Sequence, residues 1–161
     1  MHREVKGYLR RDGRVGIRNV TLVAYLVECA HHVAREIAHP YRDRGVHLIG
    51  FPGCYPNDYA ARMMRSLCTH PNVGAVLLVS LGCESFDRAT LEADVIASGR
   101  PVSTLVIQRR GGTRQSIETG WRWIEQTLLA MNTVPRSQIG PEHLVVGTIC
   151  GGSDATSGIA A

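Results

Sequence analysis

The stretch Gly74-Ala75-Val76-Leu77-Leu78-Val79-Ser80 decides the fold. Seven residues without a charge, rich in β-branched and aliphatic side chains, read as a strand buried on both faces, because a half-exposed strand would alternate apolar with polar. His70-Pro71-Asn72 stops the segment before it, and Leu81-Gly82-Cys83 breaks the run after it. Working outward, four further runs share this character: Val20–Val27, Val46–Phe51, Val102–Gln108 and Leu144–Ile149. Helical patterns lie between them. Ala30–Ala38 places Val33 and Ile37 four apart, Asp58–Cys68 carries Met63, Met64 and Leu67, and Asp87–Ser98 carries Leu91, Val95 and Ile96. Thr113–Met131 is the clearest, with Ile117, Trp121, Ile124 and Leu128 on one face. Strands alternating with helices through short connections predict an α/β three-layer sandwich, Rossmann- or flavodoxin-like, on a mostly parallel sheet of about five strands.

The flanks differ from this pattern. Residues 1–19 read as an N-terminal arm or hairpin turning at Arg11-Asp12-Gly13-Arg14, and residues 20–131 as the α/β domain. Residues 132–143, with Pro135, Gly140 and Pro141, read as a linker. Residues 144–161 read as the start of a further strand-turn-helix unit, cut short before its helix, so the chain is expected to be a piece of a longer protein. A weak echo between Leu22–Cys29 and Leu144–Cys150 fits a duplicated half.

Composition narrows the classes. The 161 residues are 44% hydrophobic and 20% charged, which excludes disorder, collagen and coiled coil. No apolar run approaches the roughly 18 residues of a membrane span, and the first residues lack a signal-peptide core, so a cytoplasmic location is expected. The net charge is +4 and Lys6 is the only lysine. Arginine grips carboxylate or phosphate through two parallel bonds, although a codon preference for arginine gives the same composition. No basic aromatic stripe or nucleic-acid motif accompanies the charge, so a small anionic substrate fits it better.

The cysteines carry the most chemistry. Cys29, Cys54, Cys83 and Cys150 each follow a predicted strand, and the carboxyl ends of parallel strands share one ligand-binding edge. Four thiols should therefore gather there, whereas Cys68 sits in a helical pattern as a small core residue. Their spacings of 25, 29 and 67 residues match no zinc ribbon or paired redox motif. Metal ligation, reactive thiols and tight packing beneath a ligand are all open readings. Glu28 and His31 accompany Cys29, and Glu84 accompanies Cys83, which supplies candidate general bases; exposed cap carboxylates are the plain alternative. Asn57 or Asp58, and Ser85, are placed to cap helices. Arg109-Arg110-Gly111-Gly112-Thr113 opens the longest helix, where backbone N–H groups and the helix dipole attract an anion. Ser153 and Asp154 sit in a second glycine turn, and Arg14 and Arg18 add charge. The nucleotide-binding, serine-hydrolase and zinc-protease signatures are absent.

These motifs in order resemble the altronate/galactarate dehydratase family, which also contains the sulfolactate sulfo-lyase large subunit. The matching pieces are Gly7-Tyr8, Asp12-Gly13-Arg14-Val15-Gly16-Ile17-Arg18-Asn19, His70-Pro71-Asn72-Val73-Gly74-Ala75-Val76 and Leu81-Gly82-Cys83-Glu84. They continue with Ile107-Gln108, Gly111-Gly112-Thr113, Ile117-Glu118, Cys150-Gly151-Gly152-Ser153-Asp154 and Ser157-Gly158-Ile159. The resemblance implies the first part of the main catalytic region and β-elimination of water from an aldonate or aldarate to give a 2-keto-3-deoxy acid. It also implies a divalent metal, Fe(II) or Mn(II), for which the rim cysteines Cys29, Cys54, Cys83 and Cys150 are the candidate ligands read from their placement. Expected partners are the remaining C-terminal half, a small N-terminal-type domain that some members carry as a separate chain, and further copies in a homo-oligomer. By itself the segment is expected to be inactive. Two departures fall at the proposed edge. Gly53-Cys54-Tyr55-Pro56 replaces the family's Gly-Cys-Gly-Gln, and His31 stands where an Asn commonly follows the Cys-Ala pair. They point first to a changed sugar acid, then to lost activity. A C–S lyase subunit and a non-catalytic anion-binding or assembly domain are the competing functions.

Overall fold

The computed structural model describes residues 5–147, 149 and 152. Among the described residues, seven strands form two sheets and four α-helices accompany them. In the first, β1 (Val5–Leu9) turns through Arg10–Gly13 into β2 (Val15–Gly16) and pairs antiparallel with it. Four elements then build the start of the second sheet: β3 (Val20–Tyr25), α1 (His31–Ala38), β4 (Val46–Gly50) and α2 (Asp58–Cys68). They are followed by β5 (Val73–Ser80), α3 (Arg88–Ala97), β6 (Val102–Val106) and α4 (Thr113–Asn132). Finally β7 (Ser137–Ile139) returns to pair antiparallel with the free side of β1.

The main sheet is parallel throughout, in the order β4-β3-β5-β6. β5 lies inside it with all eight residues buried, as its unbroken apolarity requires. Alternate residues divide between two cores. Val23, Leu77, Val79 and Leu105 pack with Val33 and Ile37 of α1 and Ile124 and Leu128 of α4. Leu22, Ala24, Val76 and Leu78 pack with Met64 and Cys68 of α2 and Leu91 and Val95 of α3. Each buried Val, Leu, Ile or Met among them contributes about 1.5–3 kcal/mol. Gly120 lets α4 approach α1: a Cβ there would stand 2.4 Å from Ile37 Cδ1. Asn57 caps α2 by accepting from Ala60 N–H at 2.8 Å, and Asp87, rather than Ser85, caps α3 through Thr90 N–H at 3.0 Å.

Two expectations need correction. The sheet has four strands, because Leu144–Gly147 carries no strand and is exposed, with Val145 at 98%. An apolar run becomes a strand only where a neighbour offers its ladder, and none does so among the described residues. Conversely, the segment expected as a linker holds β7, whose three short residues are recruited by β1 through Val5↔Ile139 and Gly7↔Ser137.

The amino end of the main sheet is locked by the arm. Arg10 donates to Pro71 O at 2.7 Å, Asn19 Oδ1 at 2.9 Å and Arg18 O at 3.0 Å. Asn72 Oδ1 accepts from the N–H groups of Ile17 and Arg18. Gly16 is required here, since a Cβ would lie 2.1 Å from Pro71 O. Arg100, 4% exposed, donates to Val73 O, Ser98 O, His70 O and Asp12 Oδ2 at 3.0–3.2 Å.

Candidate active site

In the order β4-β3-β5-β6, the chain leaves β3 in one direction and enters β5 from the other side. The carboxyl ends of these two strands therefore flank a crevice of the kind where open parallel sheets bind ligands. Glu28, Cys29 and His31 follow β3, Cys54 follows β4, and Cys83 and Glu84 follow β5. The turn Arg109-Arg110-Gly111-Gly112 follows β6. All stand on one rim, and Cys29, Cys54 and Cys83 are exposed there. Cys150, Ser153 and Asp154 lie outside the described residues.

Arg14 and Arg18 do not join this rim. They precede β3, and Arg14 bonds Asp12 at 2.7 Å and Thr69 O at 2.6 Å beside the entry to β5. Eight residues of β5, roughly 25 Å at the usual rise per residue, separate that end from the thiols. The Arg14 charge serves the arm, whereas Arg18 joins it through its backbone N–H and C=O. Asp12 is held far below the usual carboxylate range by its bonds to Arg14, against the opposing effect of burial and with Arg100 assisting.

On the β3 side, a short 3-10 turn at Glu28–Ala30 leads into α1 and brings Glu28 Oε1 to 3.0 Å from His31 Nδ1. The imidazole also stacks on Tyr25, with ring centroids 4.8 Å apart. Tyr25 in turn lies over Gly50, its partner on β4, where a Cβ would meet the ring at 2.2 Å. Burial first, and the Glu28 charge second, raise the Tyr25 phenol above its ordinary value, so it stays a neutral hydroxyl. Glu28 and Tyr25 thus fix the ring's orientation. With Nδ1–H directed at Glu28, Nε2 is the nitrogen left to accept a proton.

The β5 side is built differently. The Glu84 side chain is fully buried. Its Oε1 accepts from Ser80 Oγ and its Oε2 from Gly82 N–H at 2.7 Å, with Arg88 Nη1 4.0 Å away. Burial would raise this carboxyl, but the bonds from Ser80 and the backbone, with the Arg88 charge, hold it below its usual value. Gly82 has φ +124° and sits against Gln108, whose N–H donates to Leu81 O at 3.1 Å. Ser85 N–H donates to Cys54 O at 3.0 Å and so joins the β4 and β5 turns.

Gly111 (φ +74°) and Gly112 (φ +90°) shape the turn before Thr113, the first residue of α4. Arg109 is exposed, and its guanidinium bonds no described residue. This turn can meet an anion with backbone N–H groups, a helix dipole and an exposed cation together. Among the described residues, no three His, Cys, Asp or Glu side chains stand close enough to share one metal ion. Among the described residues, Cys29, Cys54 and Cys83 therefore do not close a ligand set by themselves.

Tyr25, Gly50 and Ser80 are site residues that the sequence reading did not single out, and Gln108 entered it only within the motif Ile107-Gln108. The one signal for the first pair was an aromatic and a glycine, each ending a strand.

The sequence model described as "D-galactarate dehydratase/Altronate hydrolase, second domain" matches residues 7–132. The chain is 29% identical to altronate dehydratase of Escherichia coli over 99% of its own length and 34% of that protein's. It is 29% identical to galactarate dehydratase (L-threo-forming) of the same organism, over 97% of the chain and 34% of the relative. Against (2R)-sulfolactate sulfo-lyase subunit beta of Chromohalobacter salexigens it is 27% identical, over 96% and 40% respectively. No solved structure matches. The chain spans about a third of the length of the dehydratases it matches. It belongs to the D-galactarate dehydratase/altronate hydrolase family and carries that family's second domain.

Proposed function

We propose that this chain forms one wall of the active cleft of a hydro-lyase that dehydrates an aldonate or aldarate to a 2-keto-3-deoxy acid. The observation that carries this reading is the family match across residues 7–132, with relatives that are altronate and galactarate dehydratases. The sheet, with helices packed on both faces, is taken as a doubly wound, flavodoxin-like sandwich whose crevice between β3 and β5 receives the substrate.

The residues supply a chemical path. His31 Nε2, oriented by Glu28 and Tyr25, takes the proton α to the carboxylate. The C–H electrons form the carbon–carbon double bond as the β-hydroxyl takes the proton back from the His31 imidazolium and leaves as water, and the enol tautomerises to the keto acid. Arg109 and the turn at Gly111, Gly112 and Thr113 hold the carboxylate, whose negative charge grows as the proton departs. A divalent metal, Fe(II) or Mn(II), is part of this reading as an electrophile for the developing charge. Its ligands would have to include groups beyond those described, with Cys29, Cys54 and Cys83 as rim contributors. The remaining polypeptide of a longer protein supplies the facing wall, and the separate subunit named for the sulfo-lyase relative makes an added small chain part of the proposal. Assembly as a homo-oligomer in the cytoplasm completes it. No helix among the described residues is long and apolar enough to cross a membrane.

The test is the full-length protein, purified anaerobically with Fe(II) or Mn(II), assayed for 2-keto acid formation on a panel of aldonates and aldarates. Keto acid from at least one is expected. A folded, metal-loaded enzyme that yields none overturns the reading, and sulfite release from sulfolactate instead would assign it to C–S cleavage.

A further inference from the structure

Glu84 has the residue type of a general base and the surroundings of something else. Its carboxylate is sealed from solvent, and each oxygen is already engaged, one by the last residue of β5 and one by the backbone of the next turn. A proton-transfer group must present a lone pair to its substrate within hydrogen-bond reach. This one presents its lone pairs to the protein. The turn it holds needs holding: Gly82 at φ +124° is a conformation open to glycine, and it is packed against Gln108 from the β6 side. The consequence is Cys83, the residue between Gly82 and Glu84, which stands exposed at the crevice mouth. The next N–H, from Ser85, reaches across to Cys54 O at 3.0 Å, so the fixed turn also sets the loop after β4.

We propose that Glu84 is a positioning residue: an internal strut that clamps Ser80 to Gly82 and so sets where Cys83 and the Cys54 loop stand on the rim. The turnover arm of the test rests on the dehydratase reading; the structural arm does not.

A pair of substitutions separates a strut from a proton carrier. Glu84→Gln keeps the shape and both contacts, because its Oε1 accepts from Gly82 N–H while its amide donates to Ser80, whose hydroxyl can accept as readily as donate. Glu84→Ala removes both. Amide hydrogen exchange, read residue by residue, should quicken at Gly82 and Ser85 by at least about tenfold in the Ala variant and by less than about threefold in the Gln variant. In the full-length enzyme, kcat should fall about 100-fold for Ala, the scale of a misplaced group, and stay within about tenfold of the parent for Gln. Should Glu84→Ala fail to fold, Ser80→Ala removes one clamp contact and should quicken Gly82 exchange in the same direction. Unchanged exchange in Glu84→Ala or Ser80→Ala overturns the proposal, as does a Gln variant as slow as Ala with its exchange intact, which would make Glu84 the proton carrier. If no variant or parent turns over, the exchange data decide the strut alone while the dehydratase reading fails separately.

Discussion

Arg100 donates more side-chain hydrogen bonds than any other described residue, and replacing it tests how the arm is held. Four donations leave its guanidinium, to Val73 O (3.0 Å), Asp12 Oδ2 (3.0 Å), Ser98 O (3.1 Å) and His70 O (3.2 Å). Hydrogen bonds to a charged group contribute about 1.5–3 kcal/mol each, so the four set a ceiling of about 6–12 kcal/mol. The loss will be smaller, because Asp12 keeps Arg14 and the sites at Asp12 and His70 are only part-buried, so water can replace some donors. The expected cost of Arg100→Met is about 3–5 kcal/mol, that of breaking a buried ion pair from one side. For a domain whose whole stability is about 5–15 kcal/mol, this is a large fraction. Urea unfolding followed by far-ultraviolet circular dichroism should show a midpoint lowered by about 2 M. The exposed pair of Arg65 with Asp94 is the control: Arg65→Met should cost no more than about 1 kcal/mol. A loss below about 1 kcal/mol for Arg100→Met would refute the reasoning, because it would mean that solvent satisfies the carbonyls as well as the guanidinium does.

Three further outcomes are expected. The Asp12 carboxyl titrates lower in the folded than in the unfolded chain, so its contribution is complete above about pH 4–5 and is lost as pH falls through the folded value. Asp12→Asn should therefore flatten the acid side of a stability–pH curve, and an unchanged acid limb would contradict the assignment. Gly120→Ala gains helix propensity of about 1 kcal/mol, yet its methyl must displace the fully buried Ile37, so net destabilisation of about 1–3 kcal/mol should appear in the same unfolding assay. Burial pushes the Cys68 thiol up to about 12, so peptide mapping after brief iodoacetamide treatment of the native protein should find Cys29, Cys54 and Cys83 labelled and Cys68 unlabelled; labelling of Cys68 would show that the α2 core opens.

The parallel sheet was legible because burial on both faces leaves an unmistakable apolar run, as in β5, and because helices alternate with such runs. The shared rim followed from topology alone: in a parallel sheet, residues after every strand come out on the same side, so Cys29, Cys54 and Cys83 line one edge. Partnership was less legible. Leu144–Gly147 is as apolar as β6 but lacks a described neighbour, while the polar Ser137–Ile139 pairs because β1 lies beside it. Residue type also misled about role. Arg14 and Arg18 advertise charge, yet chain position puts them at the amino end. Glu84 advertises basicity, yet Ser80 and Gly82 absorb its oxygens. Tyr25 was hidden because a ring over a neighbouring glycine is a cross-strand relation that no linear spacing records.

The opposite placement of the arm lock and the thiol rim bears on how such proteins diversify. Foundations and workbench occupy separate ends of the same slab. Residues such as Tyr55 and Pro56 make none of the ties formed by Arg10, Asn72 or Arg100. On the dehydratase reading proposed above, a different acid would be accommodated by rewriting short turns, on a scaffold whose anchorage lies at the other end of the sheet.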